Sequence, residues 1–239
     1  MPTTTQKSAF WKGFAAGAPF VIVVVPFAML FGVVATEAGL DIFETFAFST
    51  VVIAGAAQFT ALQLMQDHAP VWVVLISALA VNLRLVMYSA SLTPHLGALP
   101  VWRRLFVAYL IVDQSYACSV AAYEKSPQWP LMTKLAFFMG TCTPVLPLWI
   151  AGSVAGALLG QSIPPEFALD FAVPITFLAM LAPMLRTMAH MVAAVTAVVL
   201  ALAFAGLPFN LGLLLAGLGG MIAGAEVERR VTRLEVPAQ

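Results

Sequence analysis

The chain has 239 residues, of which 62% are hydrophobic and 9% charged, against about 25% charged in an ordinary soluble domain, so a water-soluble fold is excluded. Its 11 Lys and Arg balance its 11 Asp and Glu, which leaves no basic field of the kind that nucleic-acid binding requires. Apolar runs of about 18 residues or more recur along almost the whole length, each able to cross about 30 Å of hydrocarbon as a helix. The composition therefore predicts an all-α, polytopic integral membrane protein with seven to eight transmembrane helices.

In chain order, MPTTTQKSAFWKGF places Lys7 and Lys12 ahead of an apolar run from 14 to 35. That run exceeds the roughly 7 to 15 residues of a signal-peptide core, and no A-x-A site follows, so it reads as an uncleaved first span. Further spans are expected at 46–66, 71–92, 105–123, 133–159, 167–185, 188–205 and 208–225. The connections are short, which suggests one transmembrane transporter domain over residues 1–239. Residues 1–13 are expected to be cytoplasmic, and 226–239 to form a short, mobile cytoplasmic tail.

Several of these spans carry helix breakers. The first holds Pro19 and Pro26, the second the small-residue stretch AGAAQF, the fifth Pro144 and Pro147, and the sixth Pro174 and Pro183. Proline removes a backbone donor, and at membrane depth the freed groups must find protein or a water-lined cavity. Interrupted helices of this kind bind substrate or ion in many transporters. Rows of small residues at fourfold spacing, Gly152, Gly156 and Gly160 in the fifth span and Gly212, Ala216, Gly220 and Gly224 in the eighth, are suited to close helix contact. PFAMLFG and TFLAMLAP share only Ala-Met-Leu, too little to establish an internal repeat.

With eight crossings and a cytoplasmic N-terminus, Lys7, Lys12, Lys125, Lys134, Arg186, Arg229, Arg230 and Arg233 face the cytoplasm and the C-terminus does too. Only Arg103 and Arg104 fall outside, an exception to the positive-inside bias that a re-entrant early segment would remove.

The polar residues inside the membrane carry the functional reading. Arg84 lies eight residues before the end of the third span and Asp113 eight residues after the start of the fourth, so an antiparallel hairpin brings them to one depth. Intramembrane charges cost at least about 2.5 to 3.5 kcal/mol each and face a bundle interior or a cavity. Asn82, Tyr88 and Ser91 share the third span, Gln114 and Ser115 follow Asp113, and Gln58 sits in the second. These are donors and acceptors suited to an amino acid's charged ends or to a water-filled path. A structural ion pair that fixes helix register is the competing reading. Asp170 lies near the start of the sixth span, close to the interface. His68, His95 and His190 are scattered near loops, and Cys118 and Cys142 read as packing residues. No HExxH, GxSxG or GxxxxGK[ST] motif is present, so neither an enzyme nor a bound cofactor or metal is expected.

The succession GAAQFTALQLM, NLRLVMYSASLTPHL, DQSYA, GTCTPVLPLWIAGSVAGALLG and LDFAVPITFLAML resembles the AzlC family, the large subunits of branched-chain amino acid exporters. The likeness runs over about residues 10 to 185. It implies a prokaryotic cytoplasmic-membrane protein that works with a small AzlD-type membrane subunit and exports leucine, isoleucine, valine or similar compounds. Family members are often labelled permeases of ATP-driven transporters, but no cytoplasmic loop here is long enough for an obvious coupling helix. A secondary transporter driven by the membrane potential or a proton gradient is therefore expected. A non-transporting membrane scaffold is the reading from another class.

Overall fold

The computed structural model describes residues 5–160, 185, 187–207 and 211–235, the last four without their side chains. Every regular element among them is helical, as the composition requires. The helices are α1 (Gln6–Gly17), joined through a 3-10 turn (Ala18–Phe20) to α2 (Val21–Glu37), then α3 (Ile42–Val51), α4 (Gly55–Gln66), α5 (Val71–Leu96), α6 (Val101–Tyr109), α7 (Asp113–Lys125), α8 (Leu131–Gly160), α9 (Met188–Ala203) and α10 (Leu211–Glu235). Among the described residues, four stretches are long and apolar enough to cross a membrane: Gln6–Glu37, Val71–Leu96, Leu131–Gly160 and Leu211–Val231. The chain divides into two compact units, residues 1–62 with 81–167, and residues 63–80 with 168–239.

The first unit is built on two parallel helical rods. Glycines let them touch: a Cβ at Gly13 would overlap the Phe137 carbonyl, at Gly140 the Phe10 carbonyl, at Gly32 the Ser153 carbonyl and at Gly156 the Met29 carbonyl. Residue numbers rise together along this contact, so α1–α2 and α8 point the same way. Pro26, Pro144 and Pro147 lie inside these helices without ending them. Thr141 and Thr143 back-bond within the same stretch, donating to Phe138 O at 2.7 Å and to Met139 O at 2.8 Å, a local pattern that lets a helix bend.

Two of the expected spans are broken at mid-length. The second stops at Val51 and resumes at Gly55, and the fourth stops at Tyr109 and resumes at Asp113. Each gap holds a β-branched pair, Val52-Ile53 and Ile111-Val112, which is stiff and favours extended backbone. Val112 is fully extended, at φ −131° and ψ 166°. Phe48 before the first gap and Phe59 after it both pack on Phe31, with centroids 5.8 and 5.7 Å from it. An unbroken helix would rise about 16 Å over those eleven residues, so the chain doubles back.

The second gap turns the chain back as well. Arg84 meets Asp113, Tyr88 stacks on Tyr116, and His95 lies against Tyr123. Numbers rise together, so α5 and α7 are parallel. The antiparallel pairing expected for the third and fourth spans belongs instead to α5 and α6, which line one small cavity through Thr93 and Leu96 on one side and Arg104 and Val107 on the other. Helices α6 and α7 therefore form a hairpin that enters and leaves at one end. Arg103 reaches Met132 Sδ at 3.3 Å, and the Tyr123 hydroxyl donates to Lys134 O at 2.8 Å. Arg103, Arg104, Lys125 and Lys134 thus share the end where α8 begins, as do Lys7 and Lys12 of the parallel α1. The placement of Arg103 and Arg104 on the opposite face is corrected, and the positive-inside bias assigns this common end to the cytoplasm. Among the described residues a long helix followed by a broken hairpin occurs twice, α1–α2 with α3–α4 and α5 with α6–α7, and the two copies run in opposite senses.

In the second unit α9 and α10 pack closely. A Cβ at Gly220 would lie 2.8 Å from Ala193 O, and one at Gly224 would lie 2.9 Å from Ala193 Cβ. The mobile tail expected from residue 226 is instead helical to Glu235, supported by Glu226 pairing with Arg229 at 2.8 Å and Arg230 at 2.7 Å. The expected span at 167–185, with Pro174 and Pro183, lies outside the described residues apart from Leu185.

Two measurements test this arrangement. In a background lacking Cys118 and Cys142, single cysteines from Ala98→Cys and Gln128→Cys should both react with a membrane-impermeant maleimide applied to the cytoplasmic face. Labelling of the two from opposite faces would mean that the fourth span crosses. Gly156→Leu should lower the melting temperature in detergent, since overpacking costs at least about 1 to 3 kcal/mol, whereas Leu158→Ile on the exposed face should leave it unchanged. Equal tolerance would contradict the contact between α2 and α8.

Candidate functional site between two helix breaks

Backbone released at mid-depth in a membrane must be satisfied by protein, and the second break shows how. The Val112 N–H donates to Ser115 Oγ at 3.0 Å, and the Ser115 hydroxyl lies 3.3 Å from Leu110 O and 3.0 Å from Val112 O. Cys142 Sγ adds a contact to Leu110 O at 3.6 Å. Cys142 stands eleven residues into α8, about 16 Å from its start, so the break lies close to the middle of a 30 Å hydrocarbon core. Ser115, fully buried, holds the break closed on itself. The two breaks also meet: the Tyr109 hydroxyl donates to Thr50 O, and Ile53 packs in one apolar cluster with Leu110, Ile111 and Val112.

Asp113 opens α7 immediately after this break, and Arg84 Nη1 lies 2.9 Å from its Oδ2. The pair is only partly enclosed, with 33% and 43% of the two side chains open. Buried within it, Arg84 Nε, Asp113 Oδ1 and the nearby Asn82 Oδ1 make no hydrogen bond. A carboxylate cannot turn an open face to hydrocarbon without a cost of several kcal/mol, so that face requires water or other protein. The Tyr88 hydroxyl stands beside Asp113, and its ring stacks on Tyr116 at 4.1 Å and 10°. Tyr116 in turn donates to Ser91 Oγ at 3.1 Å. Gln114 is half-buried in the first turn of α7.

Gln58 belongs to the other break, in the first turn of α4, where it is fully buried with both amide atoms unpaired. Of the remaining residues singled out in the sequence, Gly152, Gly156 and Gly160 face α2, Gly220 and Gly224 face α9, Gly212 abuts the Phe204 carbonyl and Ala216 is buried. Asp170 lies outside the described residues. Sequence reasoning passed over Ser49, Ser119 and Trp149, whose polar atoms are buried and unpaired, and Tyr109 and Tyr116, which join elements. It also passed over Gly13 and Gly17, although their fourfold spacing was a usable signal. Lys134, buried near the basic end, lies 3.4 Å from His95 Nδ1 and over the Tyr123 ring.

A family model described as AzlC protein matches residues 19–163, which include both broken hairpins and all of α8. The inner membrane protein YgaZ of Escherichia coli is 29% identical over 163 residues, covering 66% of this chain and 63% of that protein, which is less than two thirds of its length. An uncharacterized membrane protein of Archaeoglobus fulgidus is 28% identical over 68% of each chain, and one of Helicobacter pylori 27% identical over 64% of this chain and 66% of its own. No solved structure matches. With more than half its length matched by the family model, across the helices that hold both breaks, this chain belongs to the AzlC family of membrane proteins.

Proposed function

We propose that this chain is the large subunit of a two-component secondary transporter that exports leucine, isoleucine, valine or close analogues across a prokaryotic cytoplasmic membrane. The observation that carries the reading is the Arg84–Asp113 ion pair, held at mid-depth where one broken helix restarts and open on one side. An ion pair serving register alone gains nothing from an open face, because the exposed charges pay desolvation in lipid without compensation. Beside a water-filled path the same pair can exchange partners with a zwitterion, Arg84 with the carboxylate and Asp113 with the ammonium. Asn82, Gln114 and Tyr88 supply neutral donors and acceptors around it. The AzlD-type small subunit expected from the family resemblance would supply protein against the open face. The connections at 97–100 and 126–130 on the basic end are too short for a coupling helix, which favours a gradient-driven mechanism.

Vesicles carrying the chain and its small partner should move radiolabelled leucine or valine outward in a gradient-dependent way; vesicles that fold and assemble the protein but move neither would contradict the reading. Arg84→Ala and Asp113→Ala should each abolish export. Because the pair is partly open, either loss should cost less stability than the roughly 3 to 5 kcal/mol of a sealed pair, and both variants should still insert. The exchange Arg84→Asp with Asp113→Arg should restore stability without restoring export. Recovery of export would mean that the pair only fixes helix register.

A further inference from the structure

The break between α3 and α4 leaves more polar atoms unsatisfied than folding can readily explain. Ser49 Oγ, both amide atoms of Gln58 and Trp149 Nε1 make no hydrogen bond, although Ser49 and Gln58 are fully buried and Trp149 is 6% exposed. Each such group costs about 1 to 3 kcal/mol unless something pairs with it. The first N–H groups of α4, at Gly55, Ala56 and Ala57, have no partner within the helix either.

The side chains that carry these groups are neighbours. A Cβ at Gly55 would lie 2.7 Å from Phe27 Cε1 and 2.9 Å from Trp149 Cη2, so the absence of a side chain lets α4 start against the indole. Gln58 follows one turn later on the same face of α4. Ser49 lies three residues before the gap and next to Phe48, whose ring packs on Phe31, and Phe31 stacks on Trp149 at 6.0 Å and 26°. The result is an unpaired amide, hydroxyl and indole N–H on neighbouring side chains, among aromatic rings near the positive end of a helix.

We infer that this break is the binding site for the head group of an apolar α-amino acid. The inference deepens the exporter reading and rests on it. The carboxylate takes the free N–H groups of α4 with the Trp149 indole N–H, since a helix N-terminus favours anions. The ammonium takes Gln58 Oε1 and Ser49 Oγ, and the aliphatic side chain lies against Phe27 and Phe31. The Arg84–Asp113 pair stands at the adjoining break, on the way to this site.

The test is equilibrium binding of radiolabelled leucine to the purified full chain, with thermal melting measured in parallel on Gln58→Leu and Trp149→Phe. Removing a buried group that has no protein partner strands nothing, so Gln58→Leu should melt at or above the parent temperature, and Trp149→Phe, which also gives up ring volume, only slightly below it. Both should bind leucine about tenfold or more weakly, the loss expected for hydrogen bonds to a charged ligand. Parent-like binding by both variants overturns the site and leaves the unpaired atoms to buried water. So does weaker binding accompanied by a matching loss of melting temperature, which marks a structural role. A parent that binds neither leucine nor valine overturns the exporter reading and this inference with it.

Discussion

The structure depends on satisfying backbone polar groups in the middle of a membrane, where hydrocarbon offers them no partner. Two helices stop and restart there, and each interruption releases N–H and C=O groups that hydrocarbon will not accept. Ser115 and Cys142 serve the second break, and Tyr109 reaches across to Thr50 in the first. Those side chains are in reach because α1–α2 and α8 form a wall with almost no side-chain spacer, glycine against carbonyl along the length of the contact. Close packing of this kind is the main attraction available between helices in lipid. A wider wall would leave the released groups without partners, and the breaks would cost more than the packing returns.

The doubled-back hairpins give a consistent electrostatic pattern. Once α6 and α7 enter and leave at one end, the basic side chains of the first unit outside the ion pair collect there, while Asp41 and Glu44 cap α3 beyond the far end of α2 through reciprocal bonds of 2.6 and 2.9 Å. The two copies of long helix plus broken hairpin run in opposite senses. Inverted repeats of discontinuous helices characterise many transporters, whose sites lie where the repeats meet. In this chain the two copies meet through the Tyr109–Thr50 bond and the Ile53 contact, with the Arg84–Asp113 pair on one copy and Gln58 on the other.

How much of this the sequence disclosed varies from residue to residue. Helical class followed from composition alone. The shared depth of Arg84 and Asp113 also followed, because counting down from the loop at 97–100 along α6 reaches Asp113 at the same level whether the chain then continues or turns. What came after Asp113 was hidden, since the turn is made by Ile111-Val112, an ordinary pair in a membrane helix, and not by proline or glycine. The same residue types run unbroken through Val21–Val25 in α2, so local propensity is too weak to mark the break, and tertiary contacts decide it. The prolines of α8 misdirect for the converse reason, as tight packing against α1 absorbs them. The repeat escaped detection because it lies in chain direction and helix length and leaves almost no shared residues.

On the exporter reading, the Arg84–Asp113 pair borders a water-filled path at mid-depth. The most direct test is the reactivity of a single cysteine from Gln114→Cys, one residue beyond Asp113, in a chain lacking Cys118 and Cys142. A water-soluble, membrane-impermeant methanethiosulfonate should modify that cysteine from the cytoplasmic face, and saturating leucine should slow the reaction. A cysteine there that resists the reagent from both faces, with and without substrate, would place the pair in a dry interface and contradict the account.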